Sequence, residues 1–362
     1  MCDSCASRRT WHLCLRWSFA LSRPRRTRVY VVGYYGWGNF GDEIFKAVAK
    51  LNAEHFWGPG AKVRTFETPL PRLRTSKGFV GRVLRASEAV LGGLWAHRIS
   101  LFGGSVLSWL TGTMKLRMTL FSERRVFEAI GVSIGPFRDA EAAQDVGGLL
   151  QYMDRVVVRD SKSVDRSPIA VKLGGDLAAL YPMPQFAAST REGLTICPSV
   201  DSGVSPRDFA SLLCKLLPEE GYHGITLLAL NSRSPGGDVA YCQAISEELA
   251  AQGITADPEV FDDIERAVHR IAISKAVWAQ RLHGLIVAYL SDVPVFVFSH
   301  HAKLADFAID IGLDDDFVVE EAELTAANVN AAQTTLRGHR GWTLESTSYV
   351  QQTRKRFRVF DE

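Results

Sequence analysis

Short apolar runs alternate with amphipathic stretches along most of the chain. Arg28–Val32 (RVYVV), Ile99–Phe102, Val126–Val132 and Arg155–Val158 are rich in β-branched and apolar residues, as buried strands are. Between the first two, Asp42–Leu51 has helical spacing, with Asp42 and Glu43 in the first turn, where the helix dipole favours carboxylates. Pro182–Arg191 (PMPQFAASTR) breaks the rhythm with two prolines and small polar residues. A second series follows: strands Leu194–Cys197, Ile225–Leu230, Val277–Gln280 and Val293–Phe298, and helices Pro206–Leu217, Ala240–Gln252 and Arg281–Leu290. Strands alternating with helices predict parallel sheets covered on both faces. The expected fold is α/β, with two doubly wound Rossmann-like domains facing a cleft. The expected division is an N-terminal extension over residues 1–27, a first domain over 28–181, a linker over 182–192 and a second domain over 193–362 that includes the C-terminal helices.

Composition narrows the function. The 362 residues are 46% hydrophobic and 23% charged, as in an ordinary globular protein, and the net charge of +2 argues against a nucleic-acid binder. That charge is unevenly placed. Residues 1–28 hold seven arginines against Asp3, a charge of +6 that leaves −4 for the rest. The extension reads either as a solvated tail or as an arm that touches anionic lipid headgroups. Its apolar stretch Trp17–Leu21 is too brief to span a bilayer. Cys2 and Cys5 form a CxxC without a second ligand pair, so no metal site is expected there. Cys197, Cys214 and Cys242 lie in apolar contexts and read as reduced core residues. A cytoplasmic protein is expected, with the inner face of the membrane as the place the arm would touch.

In open α/β sheets ligands bind at the carboxyl ends of the strands, so the chemistry belongs in the loops that follow them. The first loop, GYYGWGNFGDE, offers Gly33, Tyr34, Gly36, Asn39, Gly41, Asp42 and Glu43. Its glycines let backbone amides approach a ligand at a helix N-terminus, which suits an anion or a sugar. It is not GxGxxG, and no acid follows at the distance that NAD binding requires. Gly103 and Gly104 follow the next strand as a possible phosphate or sugar nest. Arg159 follows Arg155–Val158, beside Asp160 as a helix cap. Arg281 and His283 flank Leu282 at a strand-to-helix turn, where the helix dipole would lower the pKa of the histidine. His300, His301 and Lys303 lie in the last such loop. Five of these residues, Arg159, Arg281, His283, His300 and Lys303, would suit a small ligand with several negative charges.

These loops resemble the polysaccharide pyruvyl transferase family. The likeness begins with GYYGWGNFGDE and continues through LFGGS, AIGVSIGPF, VVVRDSKS, KLGGDLAALYP and QRLHGLIVAYLSDVPVFVFSHHAKLADFAIDIGL, covering nearly all of Arg28–Leu313. It departs from the family pattern where Ser105 replaces a third glycine, where Gly131-Val132-Ser133-Ile134 replaces Gly-Gln-Gly-Ile, and where His301-Ala302-Lys303 replaces Asp-Pro-Lys. The resemblance implies a GT-B-like fold and phosphoenolpyruvate as donor substrate. It implies transfer of a pyruvyl group onto a sugar of an exopolysaccharide or its precursor, as a ketal. It further implies that Arg159, Arg281 and His283 are catalytic. The first domain would carry the acceptor and the second the donor. His283 is the expected acid or base, with Asp42 or Glu43 as helper. No cofactor or metal is expected beyond the donor. The alternatives are a GT-B glycosyltransferase using a nucleotide sugar and a non-catalytic carbohydrate-binding relative.

Overall fold

The computed structural model describes residues 27–67, 78–218, 222–233, 236–320 and 324–358. Residues 1–26 of the basic extension, with the Cys2–Cys5 pair, lie outside them. Six parallel strands form the first sheet: β1 (Arg28–Val32), β2 (Lys62–Arg64), β3 (Arg98–Phe102), β4 (Val126–Val132), β5 (Arg155–Val158) and β6 (Lys172–Leu173). Six more form the second: β7 (Leu194–Cys197), β8 (Ile225–Ala229), β9 (Ala256–Val260), β10 (Ala276–Ala279), β11 (Val295–Ser299) and β12 (Val318–Glu320). Their orders are β2-β1-β3-β4-β5-β6 and β12-β11-β10-β7-β8-β9. In each sheet the order reverses beside the first strand of the half, which opens a crevice at the carboxyl ends of β1 and β3 and of β7 and β10.

The two crevices face each other across one helix. Leu282–Leu290 (LHGLIVAYL) is apolar all round and is buried from Gly284 to Leu290, as a helix between two packed layers must be. It lies against helices Ile264–Ile273, Ala302–Asp310 and Ser346–Phe357 and against the turn Leu177–Leu180. The halves also touch through main chain. Phe40 N–H donates to the Leu230 carbonyl at 2.9 Å and Ser232 N–H to the Gly38 carbonyl at 2.8 Å, so the loop after β1 is laid on the loop after β8.

The chain crosses between the halves twice. In the first crossing, at Pro182–Arg191, the buried Arg191 donates to the Ser291 carbonyl at 2.9 Å and to that of Asp292. The second brings helix Ser346–Phe357 back onto the first half. There Arg155 donates to the Phe357 carbonyl at 2.7 Å, and the Tyr349 hydroxyl accepts from Asp176 N–H at 2.8 Å. Gly174 admits this contact: a Cβ there would lie 2.5 Å from the Phe357 ring.

Candidate active site

Three helix N-termini converge on the crevice. Asn39 caps helix Phe40–Leu51, its Oδ1 accepting from Gly41 N–H at 3.3 Å. Arg281 stands at the N-cap of helix Leu282–Leu290, two residues after the end of β10. His301 caps helix Ala302–Asp310, its Nδ1 accepting from Lys303 N–H at 3.3 Å. Between them lies a cavity of about 380 Å³ whose walls include Asp42, Arg159, Arg281, His283, His300 and Lys303. Helix N-termini carry partial positive charge and unpaired amides, so three of them around one cavity favour an anionic guest.

At its base, Arg159, Asp176 and His283 meet. Asp176 is fully buried; its Oδ1 accepts from Ala178 N–H at 2.8 Å. Its Oδ2 lies 3.5 Å from Arg159 Nη1 and 3.9 Å from His283 Nε2. Among the described residues neither Asp176 Oδ2 nor His283 Nε2 has a hydrogen-bond partner, although both are buried. Arg159 is fixed from behind: its Nη2 donates to Ser133 Oγ at 2.6 Å, and Ser133 donates to Asp160 at 2.7 Å. The imidazole stacks edge-on against Phe45, with centroids 5.0 Å apart. Its Nδ1 lies over Gly41, where any Cβ would overlap it.

Protonation follows from burial. Burial, then the cations Arg159 and Lys303, pushes His283 down to about 3, so at neutral pH it is an uncharged imidazole. Burial lifts the Asp42 carboxyl to about 7, with Glu43 adding to the rise and the Asn39 hydrogen bond, Arg159 and Lys303 opposing it. Burial, then Arg159, lowers the Lys303 ammonium to about 8, with Asp160 and Asp42 opposing the fall. Asp42 and Lys303 therefore both exchange protons near neutrality, as acid–base groups should. Lys303 forms no ion pair among the described residues.

Arg281 differs from the other cations. Its fork is engaged by the fully buried Asp238, with Nε–Oδ2 at 2.8 Å and Nη2 on Oδ1, and by Asp201 at 2.7 Å from Nη1. The Asp238 pair anchors the guanidinium. Asp201 is 61% exposed, so a ligand anion could displace it. The positive charge that the sequence places at the strand ends is thus largely offset by Asp160, Asp176, Asp201 and Asp238.

The cavity brings together Tyr34, Asn39, Gly41, Asp42, Gly104, Arg159, Arg281, His283, His300 and Lys303. Gly33, Gly36, Glu43 and Gly103 are not among its walls. Glu43 turns away, accepting from Gly36 N–H and pairing with Lys46 at 2.9 Å. Gly103 makes room for the Phe45 ring. Sequence reasoning missed Asp176, whose signal was an acid straight after a glycine pair in KLGGD, and Asp238, for which nothing in the sequence marked a partner of Arg281. Among the described residues no group of three or more His, Cys, Asp or Glu side chains is arranged to hold a metal.

Solved structures of similar fold include UDP-GlcNAc 2-epimerase from Neisseria meningitidis bound to UDP-GlcNAc, at 9% identity and a TM-score of 0.55, covering 91% of this chain and 97% of that one. MnaA of S. aureus, in a co-structure with UDP, is 10% identical with a TM-score of 0.52, covering 91% of each chain. At such identities the likeness is one of architecture: two α/β domains in a GT-B-like arrangement. No curated protein matches the chain. The family described as "Polysaccharide pyruvyl transferase" matches residues 68–302, a span that holds Arg159, Asp176, Arg281 and His283 and stops one residue short of Lys303. With that match over well over half of its length, the chain belongs to the polysaccharide pyruvyl transferase family.

Proposed function

We propose that this transferase moves the pyruvyl group of phosphoenolpyruvate onto two hydroxyls of one sugar, in an exopolysaccharide or its precursor. The observation that carries the reading is the meeting of three helix N-termini with Lys303 and Arg159 around a cavity of about 380 Å³. Phosphoenolpyruvate presents a phosphate and a carboxylate on three carbons, and amide-lined helix ends with a free ammonium match both. Protonated Asp42 or Lys303 delivers a proton to the methylene carbon. A sugar hydroxyl then adds to the neighbouring carbon and gives up its own proton. A second hydroxyl displaces phosphate at the same carbon, its proton leaving with the phosphate, and closes the ketal.

His283 enters this scheme as neutral imidazole rather than as the acid. It accepts a hydroxyl proton, and the charge of the bound donor raises its basicity against the depression by Arg159 and Lys303. Asp176, with Arg159 beside it, lies on the Nε2 side of the ring. Arg281 keeps the turn between β10 and the following helix in shape and offers its Asp201 edge to the ligand. The test has two arms. Thermal unfolding is followed with phosphoenolpyruvate and, separately, with UDP-sugars. Stabilisation by phosphoenolpyruvate, with phosphate release and a pyruvate ketal on the acceptor by mass spectrometry, is the expected result. Stabilisation by a nucleotide sugar alone would replace this reading with a glycosyltransferase.

A further inference from the structure

Helix Phe79–Trp95, on the first half, is amphipathic in the wrong sense for a surface helix. Its outer face carries Phe79 (74% exposed), Val80 (55%), Val83 (48%), Leu91 (57%) and Leu94 (60%). At helical spacing these span an arc of about 120°. The only acid of the helix, Glu88, is buried on the opposite side. The helix is held flat on the sheet by Gly92 and Gly93, where a Cβ would come within 2.5 Å of the rings of Tyr30 and Phe121 respectively. Its apolar face therefore looks outward because its glycines face in.

Cations border this face. Arg82 is exposed just outside the arc, whereas Arg85 lies on the inward side, in a groove of about 730 Å³ that it shares with the buried Arg117. At the C-terminal end, Arg64 and Arg28 stack over the Trp95 ring at 5.0 and 5.8 Å, and Arg125 donates to the Gly93 carbonyl at 3.0 Å.

We propose that the outer face of helix Phe79–Trp95 docks in the plane of an anionic lipid bilayer. The apolar arc enters the interface between headgroups and acyl chains, while Arg82 beside it and Arg28 and Arg64 at its end meet lipid phosphates. At 17 residues with two arginines the helix lies on a membrane and does not span it. A second copy is the poorer occupant. Pairing this face with itself would bring the arginine borders of both copies together, with no exposed carboxylate on the helix to offset them. The proposal is independent of the reaction in the cleft.

Full-length protein is sedimented with vesicles of phosphatidylcholine alone and of phosphatidylcholine mixed with phosphatidylglycerol, at low salt. Binding only to the mixed vesicles is expected. The double variant Val83→Glu/Leu94→Glu should lose about tenfold or more in vesicle affinity, because its new carboxylates face anionic headgroups where apolar groups had entered. Its unfolding temperature should match wild type, since both side chains are exposed. If it fails to fold, Val83→Ser/Leu94→Ser is read the same way. Unchanged binding by the variant, or no binding of wild type to either vesicle, overturns the proposal. A wild-type dimer in light scattering that the variant turns to monomer, with vesicle binding unaltered, overturns it in favour of a second copy.

Discussion

Gly41→Ala tests the cleft with a single methyl group. Gly41 is the second residue of helix Phe40–Leu51, in ordinary helical backbone, so alanine costs nothing locally and would gain about 0.5–1 kcal/mol of helix stability. The new Cβ, however, projects from the first half into the imidazole of His283 on the second. It would overlap Nδ1 and lie 2.8 Å from Cγ, where apolar contacts relax at about 3.5–4.0 Å. The ring cannot retreat freely, because Phe45 packs against it. Overpacking of this kind costs about 1–3 kcal/mol, so the net loss of stability should be small, about 1–2 kcal/mol. A displacement of about 1 Å in a reacting group costs about a hundredfold in rate. The expected outcome is a slightly lowered unfolding temperature, displaced imidazole resonances of His283, and turnover down about a hundredfold in phosphate release from phosphoenolpyruvate with acceptor present. The control is Gly148→Ala, in an exposed helix position with nothing near its Cβ, which should stabilise and leave turnover alone. Wild-type turnover in Gly41→Ala would refute the placement of His283 at the reacting centre.

Asp42 ionises near 7 in the fold against 3.8 in the unfolded chain, so wild-type stability falls as pH rises through that window. Asp42→Asn should therefore gain on the order of 3 kcal/mol at pH 8 and almost nothing at pH 4, read by urea unfolding; an equal gain at both would count against the shift. His283, held near 3 against 6.5 unfolded, withdraws stability as pH falls between those values, and His283→Gln should resist acid better than wild type. Lys303→Met should gain roughly 1–2 kcal/mol at neutral pH after allowance for solvent screening, and lose about tenfold or more in affinity for phosphoenolpyruvate; unchanged affinity by calorimetry would remove Lys303 from the donor site. Arg159→Lys should fold with a higher donor KM, whereas Arg159→Ala, which removes the guanidinium paired with Asp160 and Asp176, should lose about 3–5 kcal/mol of stability.

Which strands the sequence revealed has a simple cause. All eight read from apolar runs are present, within about two residues at their ends, and all lie inside their sheets. The four not foreseen, β2, β6, β9 and β12, are the four edges. An edge strand needs little apolar surface, and β2 (KVR) and β9 (ADPEV) are largely exposed. The site was legible in the same measure. Residues at the ends of inner strands, such as Arg159 and Arg281, could be placed by the rule that ligands meet strand carboxyl ends. Asp176 follows the edge strand β6, so the carboxylate beside His283 stayed hidden. That the His283 pKa falls was expected from its place at a helix N-terminus, but the main cause, burial between the two halves, was not legible in the sequence.

The return of helix Ser346–Phe357 to the first half has a mechanical meaning. A body held at one point can turn about any axis; held at two, it turns only about the line through them. Pro182–Arg191 and the lead into that helix are two such points, so if the Phe40–Leu230 and Ser232–Gly38 hydrogen bonds part, the halves are constrained to swing as a door on its hinges rather than as a ball in a socket. Because Tyr349 on the returning helix also holds the backbone of Asp176, the last turns of the chain set both the axis of any swing and the posture of the buried carboxylate. The C-terminus, most distant in sequence from the first loop, is thus the frame in which that door hangs.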